Sequence, residues 1–488
     1  MDVAGKKVLV VGLARSGAAA ARLLRREGAD VTVTDARSAE ALADPVAALL
    51  PLGVRFELGG HDLAAFLSAD LIVVSPGVPL AGAELTAARE ARVPILGEAE
   101  LASRFVREPV IAITGTNGKS TTTSLIGHLL ESAGRRVFVG GNLGTPFCER
   151  VLDGGDLDFS VVELSSFQLE AVQTLRPHVA VLTNLTPDHL DRYSGPEAYY
   201  EAKRAIFRMQ EEGDFAVVNA GDPKTLALHD GARSRRVTFA SPALAASPGG
   251  ESVAGTLADV GAVEASSGGS MRDGGAPYAR SAVGAVDDGR ALRVVGLPGM
   301  HGEEESYEEL GRALRGRHNR ENAMAAILAA RLCGVSAEVI RGALPGFGGL
   351  PHRLELVRVR GGVEWLNDSK ATNVDSAQVA LAALPGRVVW IAGGLGKGAP
   401  YAPLRPLLPG RVKSILTIGA DAPAIARDLG DLAPVESCGT LEEAVRVASR
   451  LTEAGDAVLL SPACASYDQF SSYVHRGETF RRLVEGLP

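Results

Sequence analysis

Short, predominantly apolar, strand-like runs alternate with longer amphipathic helical stretches, nearly from one end of the chain to the other. The runs at 8–11, 31–34 and 71–74 begin the series, and those at 110–114, 160–163, 179–183 and 216–219 continue it. Runs at 388–392, 415–419 and 457–460 complete it. Short runs that are apolar at successive positions fit strands covered on both faces, as in parallel sheets with helices on either side. The alternation of strand and helix therefore predicts an α/β fold.

Two breaks divide the series. Near 96–108 a helical stretch leads into Pro109 and a new strand, and the string GFGGLP at 346–351 reads as a linker. The expected domains are residues 1–97, 98–349 and 350–488. Within the second, residues 241–290 hold 28 Gly, Ala and Ser in 50 with little periodicity. Such a composition buries little apolar surface, so a mobile surface insertion is expected there.

Composition adds exclusions. A chain of 488 residues, 46% hydrophobic and 22% charged, is a multidomain globular protein of ordinary make-up. The net charge of −8 argues against a nucleic-acid partner but not against an anionic small molecule, which a helix N-terminus can bind. Residues 1–7 carry no apolar run behind a basic flank, and no stretch of about 18 apolar residues occurs, so neither a signal peptide nor a membrane span is expected. Cys148, Cys333, Cys438 and Cys464 are scattered without a CxxC and read as mostly buried free thiols of a reducing, cytoplasmic compartment.

The strongest chemical signal is AITGTNGKST at 112–121. An apolar strand running into a Gly-rich turn and a helix aims backbone N–H groups and the positive helix end at a phosphate. Lys119 can reach the β- and γ-phosphates, and Ser120 can offer its hydroxyl to Mg²⁺. The loop is shortened: Ile113 stands six residues before the lysine, where the usual motif has glycine, and Gly115 stands four before it. Two polar strand ends follow, VVELSSFQ at 161–168 and TNLTPDHLD at 183–191. Near the N-terminus, KVLVVGLARSG at 7–17 forms a strand, Gly turn and helix, with Asp35 at the next strand end. It is an imperfect dinucleotide fingerprint, Ala14 standing at the middle glycine position, so a dehydrogenase stays open on this segment. In the last domain, WLNDSKATNV at 365–374, GGLGK at 393–397 and SPACASYDQF at 461–470 suit an anion site, whereas Cys464 reads as a small buried residue.

TGTNGKST resembles the ATP loop of the Mur ligase family, which includes folylpolyglutamate synthases and joins a carboxylate to an amine through an acyl phosphate. The resemblance runs from about residue 5 to 486, apart from 241–290. It implies a Rossmann-like first domain, a central ATPase-like domain and a Rossmann-like last domain. It implies ATP bound by Gly115, Thr116, Asn117, Gly118, Lys119, Ser120 and Thr121, with Asn319, Asn322, Arg353 and Asp368. It implies two Mg²⁺ ions on Ser120, Glu163, His189 and a carbamylated Lys203, with catalytic roles for Lys119, His189 and Lys203. Mg²⁺ prefers oxygen, so the resemblance alone carries the histidine; Lys203 by itself reads as part of a solvated helix face.

The N-terminal and C-terminal strings resemble the branch of that family that adds D-glutamate. They imply Ala14, Arg15, Ser16, Asp35, Arg37, Ser75, Pro76, Gly77 and Asn142 around a UDP-linked substrate, and Lys370, Thr372, Lys397, Ser466, Tyr467 and Tyr473 around D-glutamate. Tyr473 stands where some relatives have phenylalanine. The expectation is a monomeric ATP-dependent ligase that joins D-glutamate to UDP-N-acetylmuramoyl-L-alanine in peptidoglycan precursor synthesis. The rivals are a ligase of the same family adding another amino acid or a glutamyl tail, and a nucleotide-binding regulator or dehydrogenase.

Overall fold

The computed structural model describes residues 1–189, 192–241, 283–298, 300, 302, 304–314, 316–384, 386–396 and 398–488. The first sheet holds β1 (Lys7–Val11), β2 (Asp30–Asp35), β3 (Arg55–Leu58), β4 (Leu71–Val74) and β5 (Ile95–Gly97) in the order β3-β2-β1-β4-β5, all parallel. Val8, Leu9, Val10 and Val11 are all buried, as a run of successive apolar residues requires of a central strand. Strand order reverses between β1 and β4, which opens a crevice at their carboxyl ends. The helix Arg15–Arg26 buries Gly17, Ala19, Ala20 and Ala21 between this sheet and neighbouring helices, and Arg25 and Arg26 occupy its last turn, where the helix dipole favours cations.

The second sheet holds β6 (Val110–Thr114), β7 (Val137–Gly141), β8 (Phe159–Glu163), β9 (Val179–Leu182), β10 (Phe215–Asn219), β11 (Arg235–Ala240), β12 (Gly284–Asp287), β13 (Leu292–Val295) and β14 (Glu304–Tyr307). Its order is β14-β13-β12-β11-β10-β9-β6-β8-β7, parallel from β7 to β12 and antiparallel from β12 to β14. This corrects the bounds of the expected insertion. Ser241 is buried, and all four residues of β12 lie buried beside β11, so the segment's last residues belong to the sheet. A four-residue strand of Gly, Ala, Val and Asp has a composition that blends with the low-complexity stretch before it. The rest of the insertion, 242–282, lies outside the described residues.

The third sheet holds β15 (Glu355–Arg360), β16 (Val363–Asn367), β17 (Val388–Gly393), β18 (Val412–Ile418), β19 (Val435–Gly439) and β20 (Ala457–Leu460) in the order β15-β16-β20-β17-β18-β19. Only β15 runs antiparallel. The adjacent β16, β20 and β17 bring the turns after Asn367, Leu460 and Gly393 to one edge.

By contacts the chain forms two compact units, one of Met1–Glu308 with Glu321–Ala343 and the other of Glu309–Arg320 with Leu344–Pro488. The first carries both the first and the second sheet. Their junction joins a shared apolar core with specific polar contacts. Arg26 Nη1 donates to the carbonyls of Val151 (2.8 Å) and Leu152 (3.1 Å), and Arg22 pairs with Glu149. The linking helix Glu98–Ser103 holds fully buried Glu100, whose carboxylate accepts from the backbone N–H groups of Gln173 (2.9 Å) and Leu175 (3.1 Å) and pairs with Arg104 (2.8 Å). A carboxylate this well supplied with donors stays ionised in spite of burial.

Candidate active site

The turn between β6 and the helix Lys119–Ser132 is held open by contacts that tolerate no side chain. Gly115 (φ +142°) and Gly118 (φ +82°) both lie in the glycine-favouring region. A Cβ on the first would stand 1.9 Å from Thr183 Oγ1, and on the second 2.1 Å from Asn322 Oδ1. The turn leans on the segment after β9: Thr116 N–H donates to Asn184 O (2.9 Å), Asn117 N–H to Asn184 Oδ1 (2.9 Å), and Thr183 Oγ1 to Asn117 O (2.6 Å). The helix starts at Lys119 with Ser120 and Thr121 buried in its first turn. Lys119 Nζ donates to the carbonyls of Gly115 (3.0 Å) and Thr116 (2.7 Å). These features suit a phosphate cradle: backbone donors, a helix N-terminus and the Lys119 cation.

Beside it stand the expected metal residues. Lys203, expected on a solvated face if read alone, is 1% exposed, and its Nζ donates to Gly115 O at 2.9 Å. Burial, and then the Lys119 cation, push its pKa down to about 6, against the opposing pull of Asp188 and Glu163. Glu163, at the end of β8, accepts from Asn142 Nδ2 (2.7 Å) on Oε1, while its buried Oε2 has no hydrogen-bond partner. His189 takes a positive φ of 52°, and its ring lies 4.8 Å from that of Phe167 and 6.0 Å from that of Tyr199. Tyr199 in turn lies under Lys203 Nζ at 4.4 Å and donates to Thr116 Oγ1 at 3.3 Å. Among the described residues no group of three His, Cys, Asp or Glu could hold a metal on its own. Mg²⁺ asks less than that, since it keeps waters and takes one or two carboxylates plus substrate phosphates. A buried, unpartnered oxygen of Glu163, within electrostatic reach of Lys203, fits it.

Nine residues expected around a nucleotide, namely Ala14, Arg15, Ser16, Asp35, Arg37, Ser75, Pro76, Gly77 and Asn142, all line one cavity of about 440 Å³ in the first unit. Its floor is rigid. Asp35 accepts Leu13 N–H (2.7 Å) and Arg37 N–H (2.9 Å) and takes the Arg37 guanidinium on both oxygens (3.0 and 2.8 Å), which holds its carboxyl well below the usual range. Ser75 Oγ donates to Gly12 O at 2.7 Å. Arg15 reaches across to Gly144 O.

In the second unit Asp368 follows β16 and is almost fully buried. It accepts from Ser461 Oγ (2.7 Å) and Leu354 N–H (3.2 Å), and burial pushes its pKa up to about 7 in spite of the Arg353 charge. Asn319 donates to Ala313 O (3.2 Å) and lines a cavity of about 350 Å³ with Phe347, Leu354 and Leu366. Asn322, three residues on, falls in the first unit beside Gly118, with Thr122 Oγ1 at 3.4 Å from its Oδ1. Lys370 Nζ lies 5.8 Å from the ring of Tyr473, Thr372 N–H donates to Lys370 O (2.9 Å), Ser466 is buried, and Tyr467 is 71% exposed. Leu395 and Ala465 exchange backbone hydrogen bonds at 2.9 and 3.0 Å, which joins the GGLGK turn to the Ser466 turn. Lys397 itself lies outside the described residues. Cys464 is buried 3.0 Å from Tyr401 Oη, and burial pushes its thiol up to about 11, which fits a small buried structural residue.

Sequence reading missed several residues that build these sites. Thr183, Asn184 and Tyr199 brace the phosphate turn, and only the string TNLTPDHLD hinted at the first two. Arg476, fully buried, donates to Ser369 Oγ (3.0 Å), Ser369 O (2.9 Å), Cys464 O (3.1 Å) and Ala465 O (3.3 Å), tying the Lys370 turn to the Ser466 turn. No motif marks it.

Comparison with known proteins agrees along the chain. Residues 6–97 match the Mur ligase MurD-like N-terminal domain, 113–269 the Mur ligase middle domain and 352–464 the Mur ligase glutamate ligase domain. The UDP-N-acetylmuramoylalanine–D-glutamate ligase of Anaeromyxobacter dehalogenans is 55% identical, over 99% of this chain and 98% of that one. That of Myxococcus xanthus is 50% identical over the whole of both. Among solved structures, UDP-N-acetylmuramate-alanine ligase from Thermotoga maritima superposes with a TM-score of 0.55 at 20% identity, covering 98% of this chain and 99% of that one, a likeness of fold.

Proposed function

The chain belongs to the Mur ligase family, and from that premise we propose that it is the ATP-dependent ligase joining D-glutamate to UDP-N-acetylmuramoyl-L-alanine in the cytoplasmic assembly of peptidoglycan precursor. The observation that carries this reading is Asn142. It lines the nucleotide cavity and also donates to Glu163, so the cavity opens beside the phosphate cradle. A substrate with a nucleotide at one end and a carboxylate at the other would span the two.

In this reading a carboxylate oxygen of the muramoyl-alanine attacks the γ-phosphorus of ATP, ADP leaves, and an acyl phosphate forms. The D-glutamate amine adds to the acyl carbon, and the tetrahedral intermediate expels phosphate as the amine loses its proton. The Gly115–Gly118 turn and Lys119 hold the phosphates, and the chain's work is alignment and charge neutralisation. Mg²⁺, held by Ser120, Glu163, His189 and the modified Lys203, would neutralise charge on the phosphates. We read two such ions from the family resemblance.

Lys203 suits carbamylation. Its amine, with a pKa near 6, is largely neutral at pH 7. The neutral nitrogen adds to the carbon of CO₂ and releases a proton, which turns a would-be cation into an anionic oxygen ligand. Lys370, Lys397, Thr372 and Ser466 would receive the two carboxylates of D-glutamate. Phosphate release tests the whole reading: it should require ATP, UDP-N-acetylmuramoyl-L-alanine and D-glutamate together. Oxidation of NADH or NADPH on adding candidate substrates, with no such release, would replace the ligase by a dehydrogenase.

A further inference from the structure

Arg192 was singled out by no motif, yet it joins the nucleotide cavity to the turn of His189. Its Nη1 donates to the carbonyls of Pro76 and Gly77, both at 3.4 Å, and its Nη2 to that of Val78 at 3.3 Å. Three successive carbonyl dipoles pointed at one spot repel one another, and a cation at their focus is what holds such a turn together. The guanidinium is itself fixed on two other sides. Its Cζ lies 4.0 Å from the centroid of the Phe167 ring, and Glu170 Oε2 stands 3.5 Å from Nη2. Phe167 and Glu170 share the short helix Ser166–Glu170 with Gln168, which lines the cavity. The backbone N–H groups of Arg192 and Tyr193 both donate to His189 O, at 3.0 and 3.1 Å.

We propose that Arg192 is a positioning residue for the UDP-linked substrate. It holds the 75–78 turn in its nucleotide-binding shape and sets that turn's position relative to His189. The proposal rests on the reading of this cavity as the nucleotide site. A guanidinium suits the task better than an ammonium, because a planar fork can serve three carbonyls while stacking on a ring.

Steady-state kinetics of the full-length Arg192→Met and Arg192→Lys variants test it, with Asp35→Asn as a control on the cavity and a thermal melt of each. Arg192→Met should raise the KM for UDP-N-acetylmuramoyl-L-alanine about tenfold or more, with kcat within about threefold and the KM for ATP within about twofold of wild type. Arg192→Lys should recover part of the loss. Equal rises in both KM values would mark a general structural role and overturn the proposal. An unchanged KM in Arg192→Met with a raised KM in Asp35→Asn would overturn it while leaving the nucleotide reading intact. If neither variant moved that KM, the reading of the cavity would fall and the proposal with it. Should Arg192→Met fail to fold, Glu170→Gln carries the test, with a rise of about threefold in the same KM alone expected and an unchanged value overturning the proposal.

Discussion

Lys203 is buried as a base beside another base, and its chemistry follows from that. An ammonium there would lack water and face Lys119, so the side chain sheds its proton near pH 6. If carbamylation then supplies the missing oxygen ligand, Lys203→Ala should be nearly inactive and partly rescued by a short-chain carboxylic acid. Full activity of that variant in bicarbonate-free buffer would contradict this. Lys119→Ala should lose a charge-assisted contact worth roughly 1.5–3 kcal/mol, about a ten- to hundredfold fall in turnover; turnover within threefold of wild type would remove the phosphate cradle from the account. Residues at strand ends and in glycine-marked turns were readable in the sequence because their spacing is local. The side chains that brace them were not. Arg192 acts on carbonyls 114–116 positions away and Arg476 on residues as far as 107 away, and neither lies in a local pattern.

At the scale of elements, all ten apolar runs form strands, because a strand buried on both faces announces itself by composition alone. Strands that are short or interrupted by polar residues do not: β3, β5, β7, β14, β15 and β19 at sheet edges went unseen, and so did β11, β13 and β16 inside their sheets, whose arginine or glutamate residues break the apolar run. The strand β12 was lost in low-complexity sequence, and this changes an experiment. β11 and β12 are parallel, so any replacement linker has to be long enough to span back the length of a strand. Replacing only residues 242–282 by a Gly/Ser linker of about a dozen residues should leave turnover largely intact. A large rise in KM for any substrate would instead make the segment functional.

The linking helix also carries a titratable group. Glu98 is buried at its start, accepts Cys148 N–H at 2.6 Å, and is pushed up to about 7 by burial, with Glu149 adding to the shift. Below about pH 4.5 both the folded and unfolded forms hold the proton. Between there and 7 the unfolded chain releases it while the folded carboxyl keeps it, so stability falls as pH rises, by on the order of a few kcal/mol. Glu98→Gln should remove that part of the slope in denaturant midpoints measured from pH 5 to 8; an unaltered slope would refute it.

For the whole molecule, the account stands on one pairing of substrates. The expected amino-acid site offers Lys370 and Lys397 with the hydroxyls of Thr372 and Ser466, and two cations suit a dicarboxylate. D-glutamine would leave one charge poorly matched, at a cost of a few kcal/mol. L-glutamate keeps both charges, but with both carboxylates held it cannot present its amine to the acyl phosphate. The fold class could be read from the sequence, since it follows from strand–helix alternation. The amino acid could not be read from patterning, because the site expected for it is spread over turns from three strand ends, and only the resemblance named it. The direct test is phosphate release by the full-length protein with ATP, Mg²⁺ and UDP-N-acetylmuramoyl-L-alanine, each amino acid being supplied in turn. D-glutamate should support release, with D-glutamine and L-glutamate far behind; faster release with L-glutamate, L-lysine or diaminopimelate would contradict the account.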